Sequence, residues 1–174
     1  MAQDALGNEV STLDASTLAG IDDFVGGFLG YETRATNVLA AADANPDSVL
    51  ANIYSGFIWM FLEAAGAEER AQVYLDRAQA GASGANAREV LMLSQLERWI
   101  AGDVPAVQKL GQEIVTRYPR DLASVKLHQY FSFNRGDAKA MSAGAGDIDG
   151  DGDIDLVCPG KSGLYLFENL GSPR

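Results

Sequence analysis

Residues 46–62 read PDSVLANIYSGFIWMFL, and this stretch carries the strongest helical signal in the chain. Its first two residues, Pro46 and Asp47, are typical of the start of a helix. The apolar residues after them recur every three or four positions, which is the period of one buried helix face. They are Leu50, Ile53, Tyr54, Phe57 and Phe61. The pattern predicts an amphipathic helix that packs against further helices.

The same helical period extends over most of the chain, from Thr12 to Ala140. Two further apolar stripes consist of Leu18, Ile21, Val25, Phe28 and Leu29, and of Val107, Leu110, Ile114 and Tyr118. Asn86 followed by Glu89 resembles a capping box in which Asn replaces the usual Ser or Thr. These signals predict seven helices, near residues 15–29, 31–43, 47–65, 67–80, 87–101, 104–118 and 121–135.

The predicted helices are joined by short turns that recur at a fixed distance. Gly102-Asp103 is repeated 34 residues later as Gly136-Asp137, and Pro119 falls midway between the two. Short turns make neighbouring helices pack antiparallel, and 34 residues is the period of tetratricopeptide helix pairs. The expected fold class is therefore mainly α, an α-solenoid of tetratricopeptide-like helix pairs.

Three segments of the chain resemble the opening of the tetratricopeptide repeat protein 38 family. They span residues 6–63, 87–103 and 118–137, and they contain the elements NPDSVLAN, RE and PRDL in that family's order. The resemblance covers about residues 5–141, the first few helix pairs of a much longer family. It implies an α-solenoid without an assigned chemistry, so it carries over no functional residues.

The bulk composition limits the classes of partner. The chain has 174 residues, with 24 acidic against 13 basic side chains and a formal charge of −11. Such a surface repels phosphate backbones and favours cations, so neither nucleic acid nor an anionic membrane is expected as a partner. The longest apolar run, Phe57 to Leu62, is too short for membrane insertion. The N-terminus lacks the pattern of a signal peptide, so the expected localisation is cytoplasmic.

The chain changes character at about Met141. Residues 142–146, SAGAG, predict a small-residue linker, and the period of two that follows predicts a β-hairpin with strands near 154–158 and 164–168. The turn between these strands is Pro159-Gly160-Lys161-Ser162-Gly163. We therefore expect a helical domain over residues 1–141, and a linker plus hairpin over residues 142–174.

An acidic loop precedes the predicted hairpin and reads DIDGDGDID. Ca²⁺ takes six to eight oxygen ligands, and a D-x-D-x-D-G-x-x-D spacing directs alternate side chains toward one ion. In this interpretation Asp147, Asp149 and Asp151 supply carboxylates, Asp153 its backbone carbonyl and Asp155 the closing carboxylate. Five such charges would repel one another without a counter-ion. The alternative to a calcium loop is a solvent-exposed acidic turn that binds no ion.

The calcium hypothesis departs from an EF-hand and fits another family better. An EF-hand needs a glutamate at loop position twelve, where this chain has Cys158. The stretch 146–171 instead is similar to a single FG-GAP/VCBS repeat, as found in integrin-like β-propellers. That resemblance implies that Asp147, Asp149, Asp151, Asp153 and Asp155 match the metal loop of the repeat. Because one repeat lacks its neighbours, we expect weak affinity, on the order of 10⁻⁴ M or poorer.

Other residues could take part in catalysis or binding, but each has a plainer structural interpretation. His128 and Ser124 lie one turn apart on a predicted helix, which favours a polar helix contact over catalysis. Cys158 on a predicted strand is more typical of a buried structural thiol than of a reactive one. A set of aromatic side chains could line a peptide groove but is more typical of a helical core; it consists of Trp59, Tyr74, Trp99, Tyr118, Tyr130, Phe131 and Phe133.

The sequence therefore predicts a non-enzymatic helical repeat scaffold that contacts a protein or peptide and carries one Ca²⁺-binding loop. One alternative is a calcium-dependent adhesion or surface-binding module. Another is a chimeric or truncated product without the full function of either family, which would expose an open helical end and self-associate through it. An extracytoplasmic location stays open, because FG-GAP repeats usually work where calcium is plentiful.

Overall fold

The computed structural model describes residues 2–136, 144–146, 155–160 and 163–168, and these residues are mainly helical. Seven α-helices lie within them: α1 Ala15–Gly30, α2 Asn37–Ala44, α3 Val49–Phe61, α4 Ala67–Ala80, α5 Ala87–Ile100, α6 Val104–Arg117 and α7 Leu122–Asn134. Each of the seven segments predicted from the apolar period overlaps one of these helices, and α1 and α2 each end one residue beyond the predicted segment. No helix of the described residues is both long and apolar enough to cross a membrane.

Polar side chains fix where several helices begin. Asp14, Asp103 and Asp121 each accept a hydrogen bond from the backbone N–H three residues later, at the starts of α1, α6 and α7. At the start of α5, Asn86 accepts from the Glu89 N–H while the Glu89 carboxylate accepts from the Asn86 N–H. The predicted capping box is thus confirmed, and these bonds satisfy N–H groups that a helix leaves free at its first turn.

Two predicted helices end earlier or start later than the apolar pattern indicates. α1 ends at Gly30, because the next residue, Tyr31, has a left-handed conformation with φ 57°, and a short 3₁₀ turn over Thr33–Thr36 delays the start of α2 to Asn37. α3 ends at Phe61 instead of continuing to residue 65, because Glu63 and Gly66 both have positive φ, 47° and 80°. Left-handed residues end a helix, and a non-glycine residue in that conformation has no distinct sequence signal.

The helices pack in chain order, and the first also meets the last. Each helix contacts the next one along the chain, α1 and α5 both contact α3, and α1 also contacts α7. The odd-numbered helices therefore surround a shared core of stacked and edge-on aromatic rings. It consists of Phe24, Phe28, Tyr54, Phe57, Phe61, Trp99, Tyr130 and Phe131, with the closest centroids, those of Phe24 and Tyr54, 4.1 Å apart.

Lys126 holds the contact between α7 and the end of α1. Its ammonium donates hydrogen bonds to the carbonyl oxygens of Phe28 and Leu29, and it lies 3.4 Å from the ring centroid of Tyr31. A cation is favourable beside the last carbonyls of a helix and over an aromatic ring. Lys126 is 9% exposed, and burial lowers its pKa to about 8.

The N-terminal arm, which we define as residues 2–12, lies across the helices. Its two short strands, β1 (Ala2–Gln3) and β2 (Glu9–Val10), pair antiparallel, with Ala2 opposite Val10. Val10 is fully buried in the main core, and Leu6 packs against both this core and a smaller cluster around Leu122. The arm had no predicted structure, because so short a ladder leaves no periodic pattern.

Among the described residues after the helices, three strands form one antiparallel sheet in the order β3-β4-β5. They are β3 Gly144–Gly146, β4 Asp155–Gly160 and β5 Gly163–Phe167. β4 and β5 lie close to the two strands predicted near 154–158 and 164–168. β3 lies in the segment interpreted as a linker, and it pairs with β4 because a ladder needs backbone groups, which small residues also provide. β4 contacts α7, and β5 contacts α1.

Candidate functional site

The predicted calcium loop falls mostly on residues that the structure does not describe. Asp147, Asp149, Asp151 and Asp153 lie outside the described residues, whereas Asp155 is the first residue of β4 and pairs with Gly146 of β3. Within the part of the chain that the structure describes, no group of three or more His, Cys, Asp or Glu could hold a metal ion. The five-aspartate site therefore stays a prediction.

A buried ionic cluster lies where the N-terminal arm meets the helices. Arg88, in the first turn of α5, places Nη1 2.8 Å from Asp121 Oδ2 and Nη2 3.9 Å from Asp4 Oδ2. The three side chains are 1–3% exposed. Burial lowers the pKa of Arg88, but the Asp121 and Asp4 carboxylates and Tyr54 together outweigh burial, so the pKa is raised overall and the guanidinium stays charged.

Tyr54 and Glu89 complete the polar lining beside this cluster. Burial raises the pKa of the Tyr54 hydroxyl, and the Asp121 carboxylate raises it further, so this group stays neutral. The Glu89 carboxylate is fully buried and accepts hydrogen bonds from the N–H groups of Ser11, at 2.9 Å, and Asn86, at 3.2 Å. Its negative charge thus lies at the N-terminus of α5, where the helix dipole favours it.

Side chains of α5 bind the backbone of the arm. Asn86 Nδ2 and Arg88 Nη2 both donate to the Glu9 carbonyl oxygen, at 3.0 and 2.9 Å. Two residues further on, the Ser11 N–H donates to Glu89. The first turn of α5 therefore contacts a carbonyl and an N–H of an extended segment, and these contacts do not depend on the side chains of that segment.

An open cleft of about 440 Å³ adjoins the ionic cluster. It lies between the arm, the start of α5 and the α6–α7 turn, and its lining consists of Gly7, Asn8, Glu9, Asn86, Ala87, Arg88, Arg117, Tyr118, Pro119 and Arg120. Arg117 is paired with Glu113 at 2.9 Å. The arrangement can hold and orient a polar chain.

Most of the other residues singled out in the sequence lie in or against the helical core. His128 is buried, and Gly111 of α6 approaches it so closely that an added Cβ would lie 2.8 Å from its Nδ1. Tyr74, Trp99 and Phe131 are buried, and Phe133 is 64% exposed. Trp59, Tyr118 and Tyr130 are partly buried. Cys158 lies in β4, as the strand pattern predicts.

The sequence patterns do not predict the ionic cluster of Arg88 with Asp4 and Asp121. A signal was present, because Arg88 precedes the buried Met92 and Trp99 by four and eleven residues and so lies on the same helix face. Its partners Asp4 and Asp121 are distant in the chain, and no local pattern links them. An arginine on an apolar helix face indicates a buried partner without identifying it.

Comparisons with protein-family models, with curated proteins and with solved structures found no match.

Proposed function

We propose that the chain is a non-enzymatic helical repeat scaffold for protein–protein contact that carries one Ca²⁺-binding loop. In this proposal the helices form a short α-solenoid of tetratricopeptide-like pairs. The β3-β4-β5 sheet presents the calcium loop, as in an FG-GAP/VCBS repeat, with Asp147, Asp149, Asp151, Asp153 and Asp155 around the ion.

The recurrence of one helix-ending turn supports the repeat part of the proposal. Gly102 and Gly136, 34 residues apart, have nearly the same left-handed conformation, with φ 72° and 69°. The N–H of each donates to the carbonyl oxygen three residues before it, on Trp99 and on Phe133. Equal turns at the tetratricopeptide period are expected when α5 and α7 begin equivalent units.

The register of β3 and β4 supports the calcium part. Gly146 and Asp155 are paired, so the ends of the acidic segment lie side by side. Closing a loop costs conformational entropy, and a hairpin that already joins the ends lowers the cost of ordering the ligands around an ion. The segment is thereby better prepared for Ca²⁺ than the same residues on a free chain.

Calorimetric titration of the whole chain with Ca²⁺ tests the proposal. We expect one site with a dissociation constant on the order of 10⁻⁴ M, which Asp151→Ala removes. Asp76→Ala, on the exposed face of α4, is the matched control, because it also deletes one carboxylate and should leave binding intact. Submicromolar binding would contradict the weak affinity that we propose, and absence of binding would refute the calcium-binding hypothesis itself.

Thermal melting separates the scaffold from the adhesion-module alternative. For a scaffold, EDTA should leave the helical melting temperature nearly unchanged. For a module that depends on calcium, stability should follow ligand concentration and gain about 2.7 kcal/mol at a hundredfold excess over the dissociation constant. Circular dichroism at the helical band, with and without 10 mM Ca²⁺, distinguishes the two outcomes.

A further inference from the structure

We infer that the first turn of α5, together with the start of α7, is a docking site for an extended segment with an aspartate and, six residues later, a valine. The chain's own arm, Asp4 to Val10, fills this site. An equivalent segment of a partner protein fills it when the arm leaves. This inference names a partner for the proposed scaffold and rests on it to that extent.

The docking site recognises an extended segment mainly through its backbone. Asn86 and Arg88 converge on one carbonyl oxygen, that of Glu9, and Glu89 accepts the Ser11 N–H. These bonds fix the direction and register of a strand-like segment whatever its sequence. Selectivity comes from two side chains of the arm, since Asp4 faces Arg88 and Val10 is fully buried in the core.

The site keeps its charge balance without the arm. Arg88 has a close partner on the helices, Asp121 at 2.8 Å, and a more distant one on the arm, Asp4 at 3.9 Å. Removal of Asp4 leaves the Arg88–Asp121 pair in place. In a vacated site the Arg88 charge therefore stays paired, which avoids a cost of several kcal/mol, and Glu89 keeps the hydrogen bond from the Asn86 N–H.

The arm has its own internal hydrogen bonds, so it is a preorganised ligand. Its carboxylate at Asp4 accepts from the N–H groups of Leu6 and Asn8, and the Asp4 N–H donates to the Asn8 carbonyl at 2.9 Å. The β1–β2 ladder closes the same turn. A segment that holds its bound shape by itself pays less conformational entropy on docking.

The surroundings leave room for exchange. The 440 Å³ cleft borders the arm at Gly7, Asn8 and Glu9, so this side of the arm faces open space. Between the arm and α1, the Leu13 side chain is 81% exposed, so it does not anchor the arm in the core. The arm is held by hydrogen bonds to α5, to Asp22 of α1 and to the α6–α7 turn, and the chain then runs to α1 through an exposed residue.

The test uses a fluorescent peptide of residues 1–12 and the full-length chain. In the wild type, the arm competes at an effective concentration of about millimolar, so the peptide should bind poorly. In the full-length double variant Asp4→Ala/Val10→Ala the peptide should bind at least about tenfold more tightly. A peptide carrying Asp4→Asn should lose at least about tenfold of that affinity. Equal anisotropy curves for wild type and double variant would overturn the inference.

Hydrogen exchange of the wild type provides an independent measurement if the double variant does not fold. The Ser11 and Ala5 amides, bound to Glu89 and Asp22, should exchange through an opening that leaves the amides of α3 and α5 protected. If both amides exchange only when the helices unfold, the arm is a fixed part of the core and the inference is wrong. Calcium binding could still succeed then, so the two proposals fail separately.

Discussion

At the scale of single residues, the Arg88 cluster is a buried ionic contact between α5, α7 and the arm. A buried guanidinium between two carboxylates contributes little net stability compared with apolar packing, but removing the guanidinium leaves both carboxylates uncompensated. Arg88 also binds the Glu9 carbonyl, so one side chain joins α5, α7 and the arm. Its loss should therefore affect more of the molecule than its own helix.

Arg88→Met should lower the free energy of unfolding by about 3–5 kcal/mol, because Asp4 and Asp121 then lose their buried counter-charge. Urea unfolding followed by circular dichroism measures the change. Arg117→Met is the matched control, since the exposed Arg117–Glu113 pair should contribute about 1 kcal/mol or less. Equal effects of the two substitutions would show that the Arg88 cluster does not stabilise the fold.

Residue-level prediction from the sequence succeeded where a signal was local. The Asn86–Glu89 capping box spans three residues and is present as predicted. Ile21 and Val25 are buried on the predicted stripe of α1, and Phe24, between them, is fully buried although the stripe did not include it. The Arg88 partners are set by tertiary packing, which a single sequence does not show.

At the scale of elements, close approach of two helices depends on small side chains. A Cβ added to Gly27 of α1 would lie 2.4 Å from the Ala35 backbone nitrogen, and one added to Gly20 would lie 2.4 Å from the Ala41 Cβ. α1 therefore packs against α2 and the turn before it with glycine at the contact. The helical period in the sequence indicated which face is apolar but not how near its neighbour comes.

Gly27→Ala should destabilise the fold by about 1–3 kcal/mol, because a rigid backbone must move to accept the methyl group. Gly84→Ala provides the control, since no atom lies within 4 Å of its added Cβ and its φ is not positive. That control should be neutral or gain about 0.4–1 kcal/mol from reduced freedom of the unfolded chain. The midpoint of thermal unfolding of both variants, compared with wild type, decides between these expectations.

At the scale of the whole molecule, α1 and α7 are in contact, so the two ends of the described helical stack are not both free. In an open array each unit contacts its neighbours alone, and the ends can fray. Here α1 and α7 meet through Lys126, and the aromatic core spans all four odd-numbered helices. Ten of the thirteen residues of α7 are buried, so this helix is covered on most sides. The sequence indicated paired helices but carried no signal for this closure.

We expect the helices to unfold in a single cooperative transition. Fluorescence of Trp99 in a Trp59→Phe variant reports on the core, and circular dichroism reports on all helices. The two curves should coincide within error in urea, as they do for a two-state domain. Separate transitions would indicate that the α1–α7 contact is too weak to couple the ends.

The docked arm also has a consequence for the order of events during synthesis. Asn8 donates a hydrogen bond to the carbonyl of Arg120, 112 residues further along the chain. At about 5–20 residues per second, a ribosome needs roughly 6 to 22 s to make that intervening stretch. The arm therefore leaves the ribosome well before the carbonyl group that it contacts has been made. During that interval its valine and aspartate are exposed to whatever chaperone or partner is nearby.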